Sequence, residues 1–243
     1  MLKTTTIYEP RGKAREYAPL AVNLYQGCGH RCVYCYAPSC IRVTKERFYT
    51  PNPRPNILEK LSSDARKLSL MNNNGPVLLC FTCDPYQPID EKYQITRKAI
   101  GILQDFSLNV MILTKGGQRA ERDFDLLTDN DFFGVTITNL DDIMSLKWEP
   151  LAALPGERIN SLRKAHKKGI KTWVSLEPVI YPEITLEIIR KTHEFVDKFK
   201  VGTLNYHPHA KGIDWHTFAI NVKTLLDELG SDYYLKADLR KWL

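Results

Sequence analysis

The chain has 243 residues, is 43% hydrophobic and 26% charged, and carries a formal net charge of +6. That is apolar enough to build a full core and excludes a disordered chain. No run of about 18 apolar residues is present to span a membrane. The opening Met1-Leu2-Lys3-Thr4-Thr5 lacks the apolar stretch of a secretory leader. A cytoplasmic, reducing setting and a single domain over residues 1–243 are therefore expected.

In chain order, the first strand expected is 20–25, which runs into a cysteine-rich loop. A helix follows Pro53 and Pro55, with Ile57, Leu58, Leu61, Ala65 and Leu68 on one face. Asn72-Asn73-Asn74-Gly75-Pro76 breaks it. A second strand over 77–82 precedes a helix from about Asp90, with Ile95, Ala99, Ile102, Leu103 and Phe106 on one face. The third strand is 109–114, with a short helix near 122–128, and the fourth is 133–138. An irregular piece over 139–154 leads to a helix at 155–168 closed by Gly169. The fifth strand is 171–176, and its helix carries Ile184, Ile188, Phe195 and Phe199. The sixth strand is 201–206, and the last long helix carries Phe218, Val222, Leu225 and Leu229. The core runs from about 18 to 229, and 230–243 reads as a cap.

Six β-α units in strict alternation imply parallel strands with right-handed crossovers. They are too few for a closed eight-fold barrel, so an open doubly wound sheet or a partial barrel remains. In either, ligands gather at the C-terminal ends of the strands, where the cysteine loop sits.

Charge is uneven. Residues 1–60 hold ten Lys and Arg against four acids, together with six of the twelve tyrosines. Cations interleaved with aromatics suit phosphate backbones and stacked bases. A solvated basic rim around an anionic cofactor is the other reading.

Four of the six cysteines fall within thirteen positions, a clustering that fits metal binding better than disulfides. Cys28, Cys32 and Cys35 are spaced C-x3-C-x2-C between Gly27, Gly29 and Tyr36. A cubane iron–sulfur cluster normally takes four thiolates. Three leave one iron open, and an open coordination position is the mark of a catalytic site. A Cys3His zinc site using His30 competes, although structural zinc ligands usually come in two separated pairs.

With these residues on the page, the chain resembles the radical SAM (S-adenosylmethionine) superfamily. Glu16-Tyr17, Asn23-Leu24-Tyr25 and Gly27-Cys28 through Cys35-Tyr36-Ala37 resemble its spore photoproduct lyase-related, DNA repair photolyase-like branch. So do Asp84-Pro85-Tyr86-Gln87-Pro88, Thr114-Lys115 and Ser175-Leu176-Glu177-Pro178-Val179-Ile180. The resemblance implies an α/β partial (β/α)6 barrel of parallel strands. It implies a [4Fe–4S] cluster on Cys28, Cys32 and Cys35 whose open iron chelates SAM. Reductive cleavage would then yield a 5′-deoxyadenosyl radical that removes a substrate hydrogen. An electron donor such as flavodoxin or ferredoxin is implied, with a nucleic acid or nucleotide as candidate substrate and no membrane partner.

Tyr34 stands where an aromatic borders the adenine in this family, and Asp84 where a strand end meets the methionyl amino group. Asp84 lies in Cys83-Asp84-Pro85 rather than the common Gly-Gly-Glu. Thr114, Lys115, Thr136, Ser175 and Glu177 end later strands and are candidate SAM contacts, as is Glu149. Thr138, Asn205, His207 and His209 are further candidates near the mouth. The branch uses a cysteine hydrogen-atom donor three residues before the aspartate, an offset that Phe81 occupies here. Cys83 lies two residues later, on the same strand face, and is the candidate catalytic residue. Cys40 and Cys80 lack the spacing for a second cluster. The competing class is a non-catalytic iron–sulfur or zinc module that binds nucleic acid or senses redox state.

Overall fold

Seven short strands pair side by side in chain order in the computed structural model, which describes residues 5–72 and 75–243. Residues 1–4 of the opening segment and residues 73–74 of the expected chain break lie outside the described residues. The strands are β1 Leu20–Val22, β2 Val77–Leu79, β3 Val110–Thr114, β4 Phe132–Thr136, β5 Lys171–Leu176, β6 Lys198–Val201 and β7 Tyr233–Leu235. Every pairing is parallel. A doubly wound sheet would reverse strand order at a switch point. Here the order runs 1 to 7 without reversal, and the sheet curls into a half-barrel.

Six main helices fill the crossovers: α1 Ile57–Leu70, α2 Ile95–Asp105, α3 Asp142–Trp148, α4 Pro155–Lys167, α5 Pro182–Thr192 and α6 Trp215–Glu228. Successive strand residues point to opposite faces. Val22, Leu79, Ile112, Val135, Val174 and Val201 therefore join the large core under the helices. Ala21, Leu78, Met111 and Trp173 face the concave side, where they pack with Tyr17 and Ala18. Trp173 fits because β4 has Gly134 opposite it, where any Cβ would collide with the indole. The indole N–H donates to the Ile112 carbonyl at 3.0 Å, which closes the floor of the half-barrel.

The differences from the sequence reading have local causes. The expected cap contributes a seventh strand, β7, parallel to β6. The sixth strand lies at Lys198–Val201 rather than 201–206, and Phe199 belongs to it rather than to the preceding helix. Phe195 and Phe199 have helical spacing, but α5 stops at Thr192. The Asp197 carboxylate then accepts from the Thr172 backbone N–H at 2.6 Å and its hydroxyl at 3.0 Å, which pins the chain beside β5. The second strand stops at Leu79 because Cys80 turns left-handed at φ 68°. Tyr25–Gln26 leaves β1 for a small antiparallel ladder with Asn52–Pro53. The irregular piece contains α3, capped by Asp141 onto the Met144 N–H, and the helix expected near 122–128 is a 3-10 segment at Gly117–Asp123.

The concave face also buries a lysine. Lys200 donates to the carbonyls of Glu16 (3.1 Å) and Tyr17 (2.6 Å), beside the rings of Tyr17 and Trp173. Burial, with Lys198 and Lys236 nearby, pulls its pKa down to about 8. A depressed lysine pKa penalises folding while both states hold the proton. The penalty fades once the folded chain has lost a proton that the unfolded chain still holds. Urea denaturation at pH 7.5 and 9.5 should show wild type gaining stability relative to Lys200→Met as pH rises, by roughly 1–3 kcal/mol.

Candidate active site

The cysteine loop leaves β1 and is tied down on three sides. Asn23 accepts from the N–H groups of Phe81 (2.9 Å) and Thr82 (2.8 Å), joining the end of β1 to the loop after β2. Gln87 spans the loop glycines: it accepts from Gly29 N–H at 2.8 Å and donates to the Gly27 carbonyl at 3.3 Å. Gly27 sits at φ 84°, and a Cβ there would strike the Phe48 carbonyl, which accepts from Cys28 N–H at 2.9 Å. On the third side the chain after α3 pairs with the loop, Val33 N–H donating to Trp148 O and Leu151 N–H to His30 O.

Asp84 links the loop to the barrel edge. One carboxylate oxygen accepts from Tyr86 N–H (2.8 Å) and the Thr114 hydroxyl (2.6 Å). The other accepts from Lys115 N–H at 2.7 Å and faces His30 Nδ1 at 3.4 Å. Burial works against the charge, but His30, Thr114 and the Lys115 amide outweigh it and hold this carboxyl well below the usual range. The Arg119 guanidinium lies 3.3 Å from His30 Nε2 and can only donate. Nε2 therefore accepts, and the ring proton sits on Nδ1 toward Asp84. Both imidazole nitrogens are thus engaged away from a Cys3His set.

The three thiols line a cavity of about 500 Å³ at the C-terminal edge of the sheet. Cys32 is buried, and Cys28 and Cys35 are half-buried. Burial raises all three thiol pKa values, that of Cys32 to about 12. Among the described residues no three His, Cys, Asp or Glu side chains close round a single-ion site. A cubane would need each thiolate on a different iron. The same cavity is lined by Tyr34 of the cysteine loop and by Cys83, Asp84, Thr114, Lys115, Thr136, Ser175, Glu177 and Asn205, at or after the ends of successive strands.

Other expected residues lie elsewhere. Glu149 is not on the cavity: it is buried behind Tyr34, accepts the tyrosine hydroxyl, and pairs with buried Arg158 at 2.6 Å. Burial opposes its charge, but Arg158 and Lys115 overcome that and lower its pKa. Thr138 is buried off the cavity. His207 and His209 pack edge-on against Trp148, with ring centroids 5.0 and 5.6 Å away.

The cavity is also lined by residues to which the sequence reading gave no site role: Arg11, Lys13, Tyr17, Tyr36, Phe81, Tyr206 and Lys236. Lys236 donates to Glu177 at 2.6 Å, Tyr17 hydrogen-bonds the same carboxylate, and the ammonium sits 4.3 Å from the Tyr17 ring centroid. Tyr17 stood in a quoted motif without a role. Lys236 carried no local signal, because only the pairing of β7 places it here.

A parallel half-barrel that gathers a three-cysteine loop and polar strand ends round one cavity has the form of a cofactor-dependent barrel enzyme. The family model for the radical SAM superfamily matches residues 22–196, and the chain belongs to that superfamily. An uncharacterized protein of Methanocaldococcus jannaschii is 26% identical over 202 residues, covering 77% of this chain and 71% of its own length. An uncharacterized protein of Acidianus two-tailed virus is 28% identical over 193 residues, covering 73% of this chain and 62% of its own length. Among solved structures, spore photoproduct lyase complexed with dinucleoside spore photoproduct superposes with a TM-score of 0.72 at 16% identity, over 94% of this chain and 80% of that one. Streptococcus suis SuiB bound to S-adenosylmethionine gives a TM-score of 0.64 at 13% identity, over 88% and 46%. At such identities these two likenesses speak for the fold alone.

Removing one member of a buried ion pair strands its partner and typically costs about 3–5 kcal/mol. Glu149→Ala should lose stability of that order in urea denaturation, and Glu149→Gln clearly less. A loss within about 0.5 kcal/mol for Glu149→Ala would contradict its placement behind the cavity.

Proposed function

We propose that the chain is a radical SAM enzyme acting on a nucleotide-containing substrate. The observation that carries this reading is that Cys28, Cys32 and Cys35 open onto the same cavity as the polar ends of β3, β4 and β5. Thiols that burial keeps protonated give up their protons to a metal, and the wrap at Gly27 brings backbone close around the loop. This donor set suits a [4Fe–4S] cluster held by three thiolates. When bound, that group would supply one electron to cleave SAM, giving the 5′-deoxyadenosyl radical that takes a substrate hydrogen.

The protein's own residues have separate tasks in this reading. Tyr34, fixed by Glu149, presents its ring on the cysteine side. Lys115, whose ammonium lies 5.8 Å from the Tyr34 ring centroid, offers a cation to a carboxylate. Burial works against its charge, but Cys32 and Glu149 outweigh that and raise its pKa. Asp84 has its oxygens committed to the loop and barrel edge, so its role is to fix the strand ends. Thr136, Ser175 and Glu177 offer acceptors to ribose hydroxyls. Cys83, half-buried and on the cavity wall, is the proposed hydrogen-atom donor.

The substrate side supports a nucleotide. Arg11 suits phosphate, and Tyr36, Phe81 and Tyr206 suit a planar base. One of the fold's neighbours was solved with a dinucleoside photoproduct. The open cavity beside the thiols favours an enzyme over an iron–sulfur or zinc module in which the protein fills every metal position. The six free cysteines suit a reducing, cytoplasmic compartment, and no helix among the described residues is long and apolar enough to cross a membrane.

The test is anaerobic reconstitution with iron and sulfide, then dithionite and SAM, with chromatographic assay of 5′-deoxyadenosine. Wild type should form it, and Cys32→Ala should fall at least a hundredfold while keeping its fold by circular dichroism. Failure of wild type to take up iron or bind SAM would sink the proposal.

A further inference from the structure

Two thiols outside the cluster motif meet in the cavity wall. Cys80 and Cys83 stand in C-x-x-C spacing directly after β2, and beside a β-α-β unit that spacing marks dithiol redox sites. Both residues line the cavity. Cys80 is 4% exposed and belongs to the main core, while Cys83 is half-buried. The Cys80 thiol is hydrogen-bonded to Cys83. Buried cysteines in contact are ordinary packing, but the backbone around this pair is arranged to bring the two together.

Cys80 is left-handed at φ 68°, a conformation uncommon for a residue with a Cβ. Its N–H donates to Val22 O at 2.9 Å, so the end of β1 anchors the first cysteine. Asn23 accepts from both residues between the cysteines, Phe81 at 2.9 Å and Thr82 at 2.8 Å. Asp84, directly after Cys83, is held by the Thr114 hydroxyl and Lys115 N–H. The start, middle and end of the segment are thus tied to neighbouring strands. A disulfide forms without backbone movement only where two cysteines already face each other at short range. Thiols in hydrogen-bond contact on a pinned turn meet that condition.

We propose that Cys80 and Cys83 are a redox-active dithiol, which a low-molecular-mass disulfide oxidises to an intramolecular Cys80–Cys83 bridge. Burial, and then Cys83 itself, raises the Cys80 thiol pKa, so the entry point is Cys83 on the cavity side. Its sulfur attacks the incoming disulfide, forms a mixed disulfide and releases one thiol. The Cys80 sulfur then attacks Cys83 and releases the second thiol. The chain loses two electrons and two protons, both carried off by the departing thiols, and an added dithiol reverses the steps. In a reducing compartment a bridge of this kind is transient rather than structural. The bridge itself needs no cluster. Its effect on the reaction rests on the reading of Cys83 given above: a bridged Cys83 has no S–H to give, so oxidation stops hydrogen return and leaves Cys28, Cys32 and Cys35 unchanged.

Trypsin places both cysteines, and no other, in the peptide 68–92 that follows Lys67 and ends at Lys92. The full chain, with its cluster reconstituted, is treated with glutathione disulfide, quenched in acid, alkylated in denaturant and digested for mass spectrometry. The wild-type peptide should carry no alkyl label, and two labels after dithiothreitol. Cys80→Ser should stop at a glutathione adduct on Cys83. Cys83→Ser should keep Cys80 labelled and react at least tenfold more slowly than wild type. Circular dichroism verifies the fold of both variants. Wild type unfolded in urea should bridge at least tenfold more slowly than the folded chain. A wild-type peptide that keeps both labels, stalls as the glutathione adduct or joins another cysteine peptide would overturn the inference, as would equal rates in the folded and unfolded chain. A chain that takes up no iron and still bridges Cys80 to Cys83 would overturn the cluster reading alone.

Discussion

A carboxylate taken out of water must find donors, and Asp84 finds four, which is the constraint on which the rest of the site depends. Its partners are Tyr86 N–H beside it, the Thr114 hydroxyl and Lys115 N–H at the end of β3, and His30 in the middle of the cysteine loop. Three segments far apart in sequence are thus fixed to one point at the barrel edge. Arg119 sets the tautomer of His30 from the other side. Losing the carboxylate would release the loop, the β3 terminus and the turn after β2 together, and each released buried donor would carry its own desolvation cost.

The half-barrel makes this arrangement possible by separating its two faces. Outward residues of the strands are mostly apolar and join the core under the helices. Inward residues Trp173, Met111, Leu78 and Ala21 form an apolar floor. Above that floor β3 still presents Leu113, while Thr136 on β4, Ser175 on β5 and Lys236 after β7 bring polar groups to the cavity. The change follows from depth, because side chains near the strand C-termini meet a cavity that a polar ligand or water can fill, and those below meet only one another.

Much of this was legible in the sequence. Cys28, Cys32 and Cys35 announced themselves by spacing and flanking glycines, and the strands that carry Thr114, Thr136 and Ser175 by their apolar runs. Strand–helix alternation left an open doubly wound sheet or a partial barrel, and the partial barrel came with the family resemblance those motifs carry. What stayed hidden required contacts rather than patterns. Glu149, in the irregular piece before Pro150, read as a SAM contact or equally as a salt bridge, and only the position of Arg158 shows that its charge is already paired. Lys236 looked like a tail residue, since three strand residues at 233–235 are too short to show a period. Phe195 and Phe199 imitated a helical stripe, and the break between them depends on Thr172 and Asp197, which come together only when β5 and β6 pair.

The clamp that holds the cysteine loop has a consequence for both sides of it. Gln87 and Asp84 hold the loop from the barrel at Gly29 and His30, while the chain at 148–151 holds it at Val33 and His30 through two backbone hydrogen bonds. Both grips fall on the eight residues that contain all three thiols. Cys28, Cys32 and Cys35 line the cavity while Arg31 and Val33 between them are exposed, so one short loop serves both the site and the protein surface.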